Sequence, residues 1–324
     1  MASIDIKVDI IKYINDDSYN ENILEYKIYG KNINYILVNT LRRVILSDIP
    51  IYAYTPSLIN ITKNSSVYNN NILKNRIELL PIYNLNNTLD FKFYDNLCEF
   101  SRNKDSAGNT LDNTKSLNIY LKKKNIENYI LNVTTNDCEF YMNSNKIKNI
   151  YKKPLLLCKL KSKEELEFSA MIDLGIPLNH ARYSCVSICY YNELNDNSYK
   201  FKLSPVSQLD GYEIMLRSCK IIIYNLEKIL KKLINIVYKD NSVNKIVLEN
   251  YDHTYGNLIS SILQKNNNIE YCSYRMDHLF IRNIIIEFKI KGNIKFNIIL
   301  KNNINKLIKY FELIHSLFKK KKNV

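Results

Sequence analysis

One amphipathic pattern occurs twice in this chain of 324 residues. Over residues 33–48 the apolar side chains recur at three- and four-residue spacing, which gives a helix one apolar face. The pattern returns at residues 252–263, where Asn257 aligns with Asn39 and the apolar positions coincide. Each copy is followed by strand patterns and by a long closing helical pattern. A chain that carries two related half-folds is expected to pack them face to face.

Strand patterns surround the first helical pattern and fill most of the chain as far as residue 198. Residues 4–13 and 23–29 predict a hairpin before the first helix, and residues 51–62 predict a strand after it. From about 66 to 198, short apolar runs alternate with Asn- and Asp-rich turns. This texture predicts a mixed β-rich region that contains an exposed loop at 101–116.

A heptad-like helical stripe begins at Ile222 and ends before the polar stretch 238–244. That stretch predicts a linker. Beyond it, the runs KIVLEN and RNIIIEFKI predict strands on either side of the second helix, and a final helical pattern closes the chain. The residues after the linker therefore predict a second, smaller unit, whose opening helix Thr254 would cap.

The charge balance leaves the partner class open. The formal net charge is +14 and the isoelectric point is about 9.2, which is typical of proteins that meet polyanions. Heavy use of Asn, Ile and Lys, with six Gly and no Trp, is also typical of AT-rich coding, which produces the same charge. An independent basic nucleic-acid-binding protein remains an alternative, and it would need a stripe of Lys and Arg with stacking aromatic side chains.

No segment indicates export or membrane insertion. The amino terminus lacks a basic region followed by an apolar one, and no window approaches the roughly 18 apolar residues of a membrane span. The seven cysteines are scattered and odd in number, as expected for reduced thiols. We expect a soluble, intracellular protein with no membrane partner.

The usual motifs of enzyme chemistry are missing from the sequence. Cys185 and Cys189 are four residues apart, but no histidine pair has ligand spacing around them, and zinc usually needs four ligands. The chain has no nucleophile elbow, no glycine-rich phosphate loop and no H-E-x-x-H motif. We expect no catalytic residues, no metal and no cofactor.

Two adjacent arginines, Arg42 and Arg43, interrupt the first helical pattern. Successive helical positions are about 100° apart, so both side chains point away from the apolar side chain of Leu41. A solvated basic face and a contact surface for a protein partner are both consistent with this pattern.

Three motifs follow one another along the first part of the chain. They are NTLRRVILSDIPIYA at 39–53, NSSVYNNNILKNRIELLPI at 64–82 and GIPLNHARYSC at 175–185. The first resembles the N-x-L-R-R helix of the alpha-like subunits of multisubunit RNA polymerases. The second resembles their N-T-S-V segment, and the third is similar to the G-I-G-x-x-H-A-x-W-x-P segment of the larger eukaryotic and archaeal subunit.

Two more motifs lie beyond the expected linker. DHTYGNLISSIL at 252–263 and YCSYRMDH at 271–278 are similar to the D-H-T-x-G-N and A-G-Y-x-x-x-H segments of the smaller alpha-like partner. The chain therefore resembles a natural fusion of the two partners, a form that occurs in the RNA polymerases of several large DNA viruses of eukaryotes.

The resemblance implies an α+β fold in which two alpha-like dimerisation units form an intramolecular pseudo-dimer, with a β-rich domain inserted in the first unit. The implied first unit comprises residues 1–51 and 199–237, the inserted domain 52–198, the linker 238–244 and the second unit 245–324. The implied interface between the units consists of Leu37, Leu41, Val44, Ile45, Ile222, Leu226, Ile229, Leu233, Ile259, Ile262, Leu263, Ile304 and Phe311.

The implied function is that of a noncatalytic assembly subunit of a DNA-dependent RNA polymerase. Its partners would be the two largest polymerase subunits and small polymerase subunits, with DNA reached only through the assembled complex and no separate alpha-like partner. An equivalent subunit of polymerase I or III is a close alternative. A viral origin would place the protein in the host cytoplasm or the virion, and a cellular origin in the nucleus.

A second set of residues is implied to dock the large subunits. Its members are Arg42, Arg43, Asn64, Ser65, Ser66, Val67, Arg76, His180, Arg182 and Ser184. Ordinary structural roles compete with docking at several positions: a polar turn at 64–67, a hydrogen-bonded histidine at His180, and helix capping at Asp252 and His253.

Overall fold

The computed structural model describes residues 4–15, 22–83, 85, 91, 94–95, 98, 117–206, 208–233, 243–278, 281–291 and 296–322. These residues form fourteen strands and five α-helices. None of the helices in these ranges is both long enough and apolar enough to cross a lipid bilayer. The expected loop at 101–116 and residues 238–242 of the expected linker lie outside the described residues.

A four-stranded antiparallel sheet carries the first helix. Its strands, in spatial order, are β1 (Lys7–Ile14), β2 (Ile23–Tyr29), β11 (Ser198–Pro205) and β10 (Val186–Asn195). Helix α1 (Tyr35–Ser47) follows β2, and helix α3 (Gly211–Leu233) follows β11. The predicted β1–β2 hairpin is confirmed by its antiparallel pairing. We name these four strands and two helices the first module.

Local features of the sequence determine where helix α1 begins and ends. The side chain of Asn34 accepts a hydrogen bond from the backbone N–H of Leu37 at 3.0 Å and so caps the helix. Because a residue that precedes proline disfavours helical geometry, Ile49 and Pro50 keep the helix from continuing beyond Asp48. Its apolar face packs into a hydrophobic core that also contains side chains of α3.

A middle region interrupts the first module between α1 and β10. A five-stranded sheet has the spatial order β3 (Ile51–Asn64), β9 (Glu165–Gly175), β4 (Leu117–Lys124), β6 (Glu139–Met142) and β7 (Asn145–Ile147). A two-stranded sheet pairs β5 (Leu131–Thr134) with β8 (Leu156–Leu160). These strands enclose a separate hydrophobic core that includes the fully buried rings of Phe140 and Phe168.

The middle region also contains a helix, α2 (Asn70–Glu78), that the sequence pattern does not predict. The run Asn69–Asn71 has the composition of a turn, yet the Asn69 side chain accepts a hydrogen bond from the N–H of Ile72 at 2.8 Å. That bond starts a helix instead. Leu73 and Ile77 then bury one face of the helix in the core of the middle region.

Strand pairing moves one expected boundary. The boundary expected at residue 198 separates β10 from β11, but these two strands form an antiparallel hairpin in the sheet of the first module. Hydrogen bonding therefore groups residues 186–198 with the first module, because strands of one sheet share their backbone partners and their core. At the other end of the chain, Val243 and Asn244 of the expected linker are the first residues of strand β12.

The second module is a smaller copy of the same design. Its sheet has the spatial order β12 (Val243–Glu249), β14 (Ile281–Ile290) and β13 (Ile269–His278), and its helices are α4 (His253–Gln264) and α5 (Phe296–Lys322). Asp252 caps α4, so the expectation that Thr254 caps this helix is wrong. Thr254 lies inside the first turn, where its hydroxyl is available to another residue.

The two modules share one hydrophobic core. Helix α1 contacts α4, and the two long helices α3 and α5 pack along each other. The ring of Phe318 on α5 makes an edge contact with the ring of Tyr26 on β2, with centroids 4.9 Å apart. Buried side chains from both sheets belong to the same cluster. Burial of apolar side chains in such a core is the main stabilising contribution to a fold.

Candidate protein-docking interface

The repeated helices begin at equivalent positions. The offset of 218 residues that aligns Asn257 with Asn39 also aligns the two capping residues, Asp252 and Asn34. Both side chains accept a hydrogen bond from a backbone N–H in the first turn of the helix that follows. The repeat predicted from the sequence is therefore present in the capping geometry as well as in the apolar spacing.

Of the thirteen residues expected between the two units, all but Ile262 are at most 2% exposed and belong to the common core. They comprise Leu37, Leu41, Val44, Ile45, Ile222, Leu226, Ile229, Leu233, Ile259, Leu263, Ile304 and Phe311. Ile262 is only partly buried against that core. These twelve side chains are thus buried in the common core, and their place between the two modules stays a prediction.

Arg43 reaches from α1 to the start of α4. Its Nη2 donates to Oδ2 of Asp252 at 2.8 Å, and its Nε donates to the hydroxyl of Thr254 at 2.7 Å. Burial by itself raises the pKa of Asp252, but hydrogen bonds from Thr254 and the charge of Arg43 bring that pKa below its usual value. Asp252 is therefore an ionised cap that also binds an arginine of the other module.

Arg42 has a different environment from its neighbour. Its Nε and Nη2 both donate to Oδ1 of Asn39, at 3.1 and 3.0 Å, and the side chain is half-buried. Its charge acts on Cys189 of β10, whose thiol pKa is nevertheless raised to about 12 by burial. Arg42 makes no ion pair with the part of the chain that the structure describes. Of the two arginines, only Arg43 is thus paired with a carboxylate of the described residues.

A second carboxyl group stands beside the Arg43 contact. Desolvation of Asp48, together with the negative charge of Asp252, raises the pKa of Asp48 to about 7. The hydroxyl of Ser47, which donates at 2.8 Å, and the charges of Arg43 and Arg282 oppose this increase. The junction between the modules thus contains one ionised carboxylate and one that titrates near neutrality.

Residues 64–67 form a tight polar turn after β3. Oδ1 of Asn64 accepts from the N–H and hydroxyl of Ser66, while its Nδ2 donates to the carbonyl of Tyr68 at 2.8 Å. The N–H of Ser65 donates to the carbonyl of Glu165 at 3.0 Å, which ties the turn to β9. Val67 is left 72% exposed at its tip. The polar residues fix the turn, and Val67 is the side chain that it presents.

Four other residues expected to dock a partner are engaged within the chain. Arg76 donates to the carbonyls of Leu157 and Leu156, at 2.8 and 3.0 Å, and so joins α2 to β8. Nη1 of Arg182 lies 2.7 Å from Oε2 of Glu78 in a nearly buried ion pair.

His180 and Ser184 flank the short 3₁₀ turn that holds Arg182. Nδ1 of His180 accepts from the N–H of Arg182 at 3.2 Å, which matches the structural interpretation of this histidine. The hydroxyl of Ser184 donates to the carbonyl of Val186 at 2.7 Å. These contacts assign local positioning roles to Arg76, His180, Arg182 and Ser184.

Sequence reasoning missed an exposed apolar loop between β4 and β5. Ile126, Tyr129 and Ile130 are 80%, 64% and 59% exposed. The loop leaves the same end of the five-stranded sheet as Val67, because β3 and β4 both pair antiparallel with β9 and end opposite Leu166 and Glu165. We name Val67, Ile126, Tyr129 and Ile130 the apolar rim. Grouped apolar side chains in solvent are typical of protein interaction surfaces.

All seven cysteines are free, and burial raises the pKa of most of their thiols, for example that of Cys219 to about 12. Within the described ranges, no group of three or more His, Cys, Asp or Glu residues could hold a metal ion.

Comparisons with known proteins match a domain family and several individual proteins. The model of the RNA polymerase Rpb3/Rpb11 dimerisation domain matches residues 244–316. A protein of Acanthamoeba polyphaga mimivirus, provisionally named as a DNA-directed RNA polymerase subunit, is 28% identical in an alignment that covers 99% of this chain and 96% of that protein.

Two Arabidopsis thaliana proteins match about half of the chain and about half of their own length. Subunit 3B of DNA-directed RNA polymerases IV and V is 27% identical over 48% of this chain and 49% of that protein. Subunit 3 of DNA-directed RNA polymerases II, IV and V is 27% identical over 46% of this chain and 47% of that protein. These matches confirm the resemblance to the alpha-like subunits.

Proposed function

We propose that this chain, a relative of the alpha-like subunits of RNA polymerase, is a noncatalytic assembly subunit of a DNA-directed RNA polymerase. The observation that carries this proposal is the match, along nearly the whole of both chains, to the mimivirus protein that is provisionally named as a polymerase subunit. The Rpb3/Rpb11 match over 244–316 supports it, because that range covers most of the second module.

The two modules act as an intramolecular pseudo-dimer in this proposal. The equivalent caps of α1 and α4, the common core and the Arg43–Asp252 contact support such an arrangement. Joining two partners in one chain raises their effective concentration, so that they meet without a second copy. The purified protein should therefore be a monomer of 38.2 kDa by light scattering. An obligate homodimer would contradict the pseudo-dimer.

Large subunits dock, in this proposal, on two surfaces of the chain. Arg42 offers a guanidinium that no described carboxylate occupies, and such a group binds carboxylates with two parallel hydrogen bonds. The apolar rim offers exposed hydrophobic area at the far end of the middle region. Arg43, Arg76 and Arg182 contribute indirectly, because their contacts hold the modules, α2 and the 3₁₀ turn in place.

Copurification of the tagged native protein, followed by mass spectrometry of the bound proteins, tests the function. We expect the two largest polymerase subunits among the partners, and their sequences will identify the polymerase class. A variant with Ile126→Asp and Tyr129→Asp should lose a large subunit, whereas Ile298→Asp, at an exposed apolar position on α5, should not. Recovery of RNA or DNA without polymerase proteins would favour the independent nucleic-acid-binding alternative.

A further inference from the structure

A cleft of about 510 Å³ lies where the two modules meet. One wall is the segment from Lys31 to Leu37, at the start of α1, and the other comes from α4 and α5. Its volume falls within the range of about 300–1,000 Å³ that is usual for ligand pockets. None of the residues proposed to dock the large subunits lines it. We name it the junction cleft.

The charged side chains that line the junction cleft are all basic. Lys31, Lys265 and Lys306 line it, and all three are exposed. No Asp or Glu is among the lining residues, and none of the three lysines forms an ion pair within the described ranges. Like charges around a concave surface concentrate anions there. The occupant should therefore carry several negative charges.

The walls of the junction cleft favour a peptide over a nucleotide. Ile36, Leu258 and Leu307 supply buried apolar surface. Tyr310 is the single aromatic lining residue, and it is 6% exposed, with its hydroxyl accepting from Nδ2 of Asn32 at 3.3 Å. Single-stranded nucleic acids are usually held by exposed aromatic faces on which bases stack. The described lining offers none.

We propose that the junction cleft binds an acidic peptide segment of another protein. Carboxylates of the segment pair with the three lysines, and an apolar side chain packs against Leu258 and Leu307. The amides of Asn197, Asn266 and Asn267, which also line the cleft, can donate to and accept from the peptide backbone. The inference rests on this chain alone and holds whether or not the protein enters a polymerase.

Fluorescence anisotropy with the intact chain tests the proposal. The probe is a short fluorescein-labelled peptide in which glutamate alternates with leucine. The triple variant Lys31→Glu, Lys265→Glu and Lys306→Glu should bind the peptide roughly tenfold more weakly or worse. Each ion pair between a lysine and a peptide carboxylate is lost, and a repulsion between two carboxylates replaces it. The control combines Lys124→Glu, Lys159→Glu and Lys309→Glu, all at exposed positions outside the cleft. Both variants lower the formal net charge from +14 to +8, so only the position of the change differs.

Three results would overturn the proposal: no measurable binding by the wild-type chain, equal loss in both variants, or displacement of the peptide by oligouridine RNA from the wild-type cleft. A probe with serine in place of leucine should bind more weakly, because it lacks the apolar anchor; equal affinity would also contradict the inference. Thermal melting of each variant shows whether it is folded. Replacement of the same lysines by glutamine provides a second variant that adds no negative charge, and it should also weaken binding.

Discussion

The Arg43 guanidinium donates to the Asp252 carboxylate at 2.8 Å, and the same carboxylate caps the helix that repeats the one carrying Arg43. One ion pair therefore joins the first turn of α4 to the middle of α1. Both side chains are about one third exposed, so water weakens the attraction, but the geometry still fixes which residues face each other. The hydroxyl of Thr254 adds a second contact to the same guanidinium.

Arg43→Ala should lower the free energy of unfolding by about 1–2 kcal/mol, because it removes two hydrogen bonds, one of them charged. In a double-mutant cycle with Asp252→Ala, the coupling energy should be about 0.5–1 kcal/mol. Urea unfolding measures both values. Arg42→Ala is the matched control and should cost less than Arg43→Ala, because its two hydrogen bonds reach only Asn39 of the same helix and none is to a charged group. A coupling energy of zero would show that the ion pair does not form in solution.

Arg42→Ala should instead weaken assembly. A desolvated arginine at an interface can contribute about 2 kcal/mol or more, which corresponds to a loss of well over tenfold in affinity. A pulldown of the largest polymerase subunits, beside a melting curve of the variant, makes the comparison. If the variant melts normally and still recovers all the partners, Arg42 belongs to a solvated basic face and does not bind a partner. Lys159→Ala, at an exposed position in the middle region, controls for loss of one positive charge.

Ile45→Asp and Ile262→Asp should differ in severity. Ile45 is fully buried in the common core, so an unpaired carboxylate there should cost several kcal/mol and abolish soluble expression. Ile262 is partly buried and lines the junction cleft, so its carboxylate can remain hydrated. Soluble yield and melting temperature measure the difference. Equal behaviour of the two variants would contradict the packing of α1 and α4 described above.

Glu78→Ala should destabilise the protein by about 3 kcal/mol or more, because it leaves the nearly buried Arg182 without its counter-charge. Glu139→Ala breaks the exposed pair with Lys146 and should have a much smaller effect than Glu78→Ala, because water screens that pair. Urea unfolding of the two variants provides the measurement. A small effect at Glu78 would mean that water reaches the Arg182 side chain.

Asp48→Asn should stabilise the protein increasingly as pH rises. The folded pKa of Asp48 is about 7 and its ordinary value is 3.8, so between these values the folded chain holds a proton that the unfolded chain has released. Wild-type stability from this group is therefore greatest below about pH 4 and falls as the pH rises to about 7. Asparagine has no such titration. Unfolding free energies of both proteins at several pH values should diverge across this window; a constant difference would contradict the raised pKa.

Local patterns were sufficient to predict most helices. The apolar spacing identified α1 and α4, since a helix places side chains three and four residues apart on one face. It missed α2 because Asn69–Asn71 resembles a turn, and the capping bond that starts the helix depends on one side-chain rotamer. Capping by Asp252 rather than Thr254 is a choice of the same kind.

Long-range contacts were beyond the reach of such patterns. The pairing of β11 with β2, which brings β10 into the first module, joins strands from opposite sides of the middle region. The partner of Arg43 lies 209 positions further along the chain, and nothing in the neighbourhood of Arg43 identifies it. The apolar rim was missed because short apolar runs occur throughout residues 66–198, and the sequence does not distinguish an exposed run from a buried one. Only the folded structure shows that this loop is exposed and leaves the same end of the sheet as Val67.

The common core also has a consequence for the synthesis of its two halves. Helix α3 ends at Leu233 and strand β12 begins at Val243, so one polypeptide carries both halves of that core. A ribosome then makes the halves in equal number, and neither apolar face waits in solution for a partner translated elsewhere. When such faces belong to separate chains, unequal synthesis leaves a surplus that is exposed to aggregation and proteolysis. Here the number of complete cores follows the expression of a single gene and needs no balance between two.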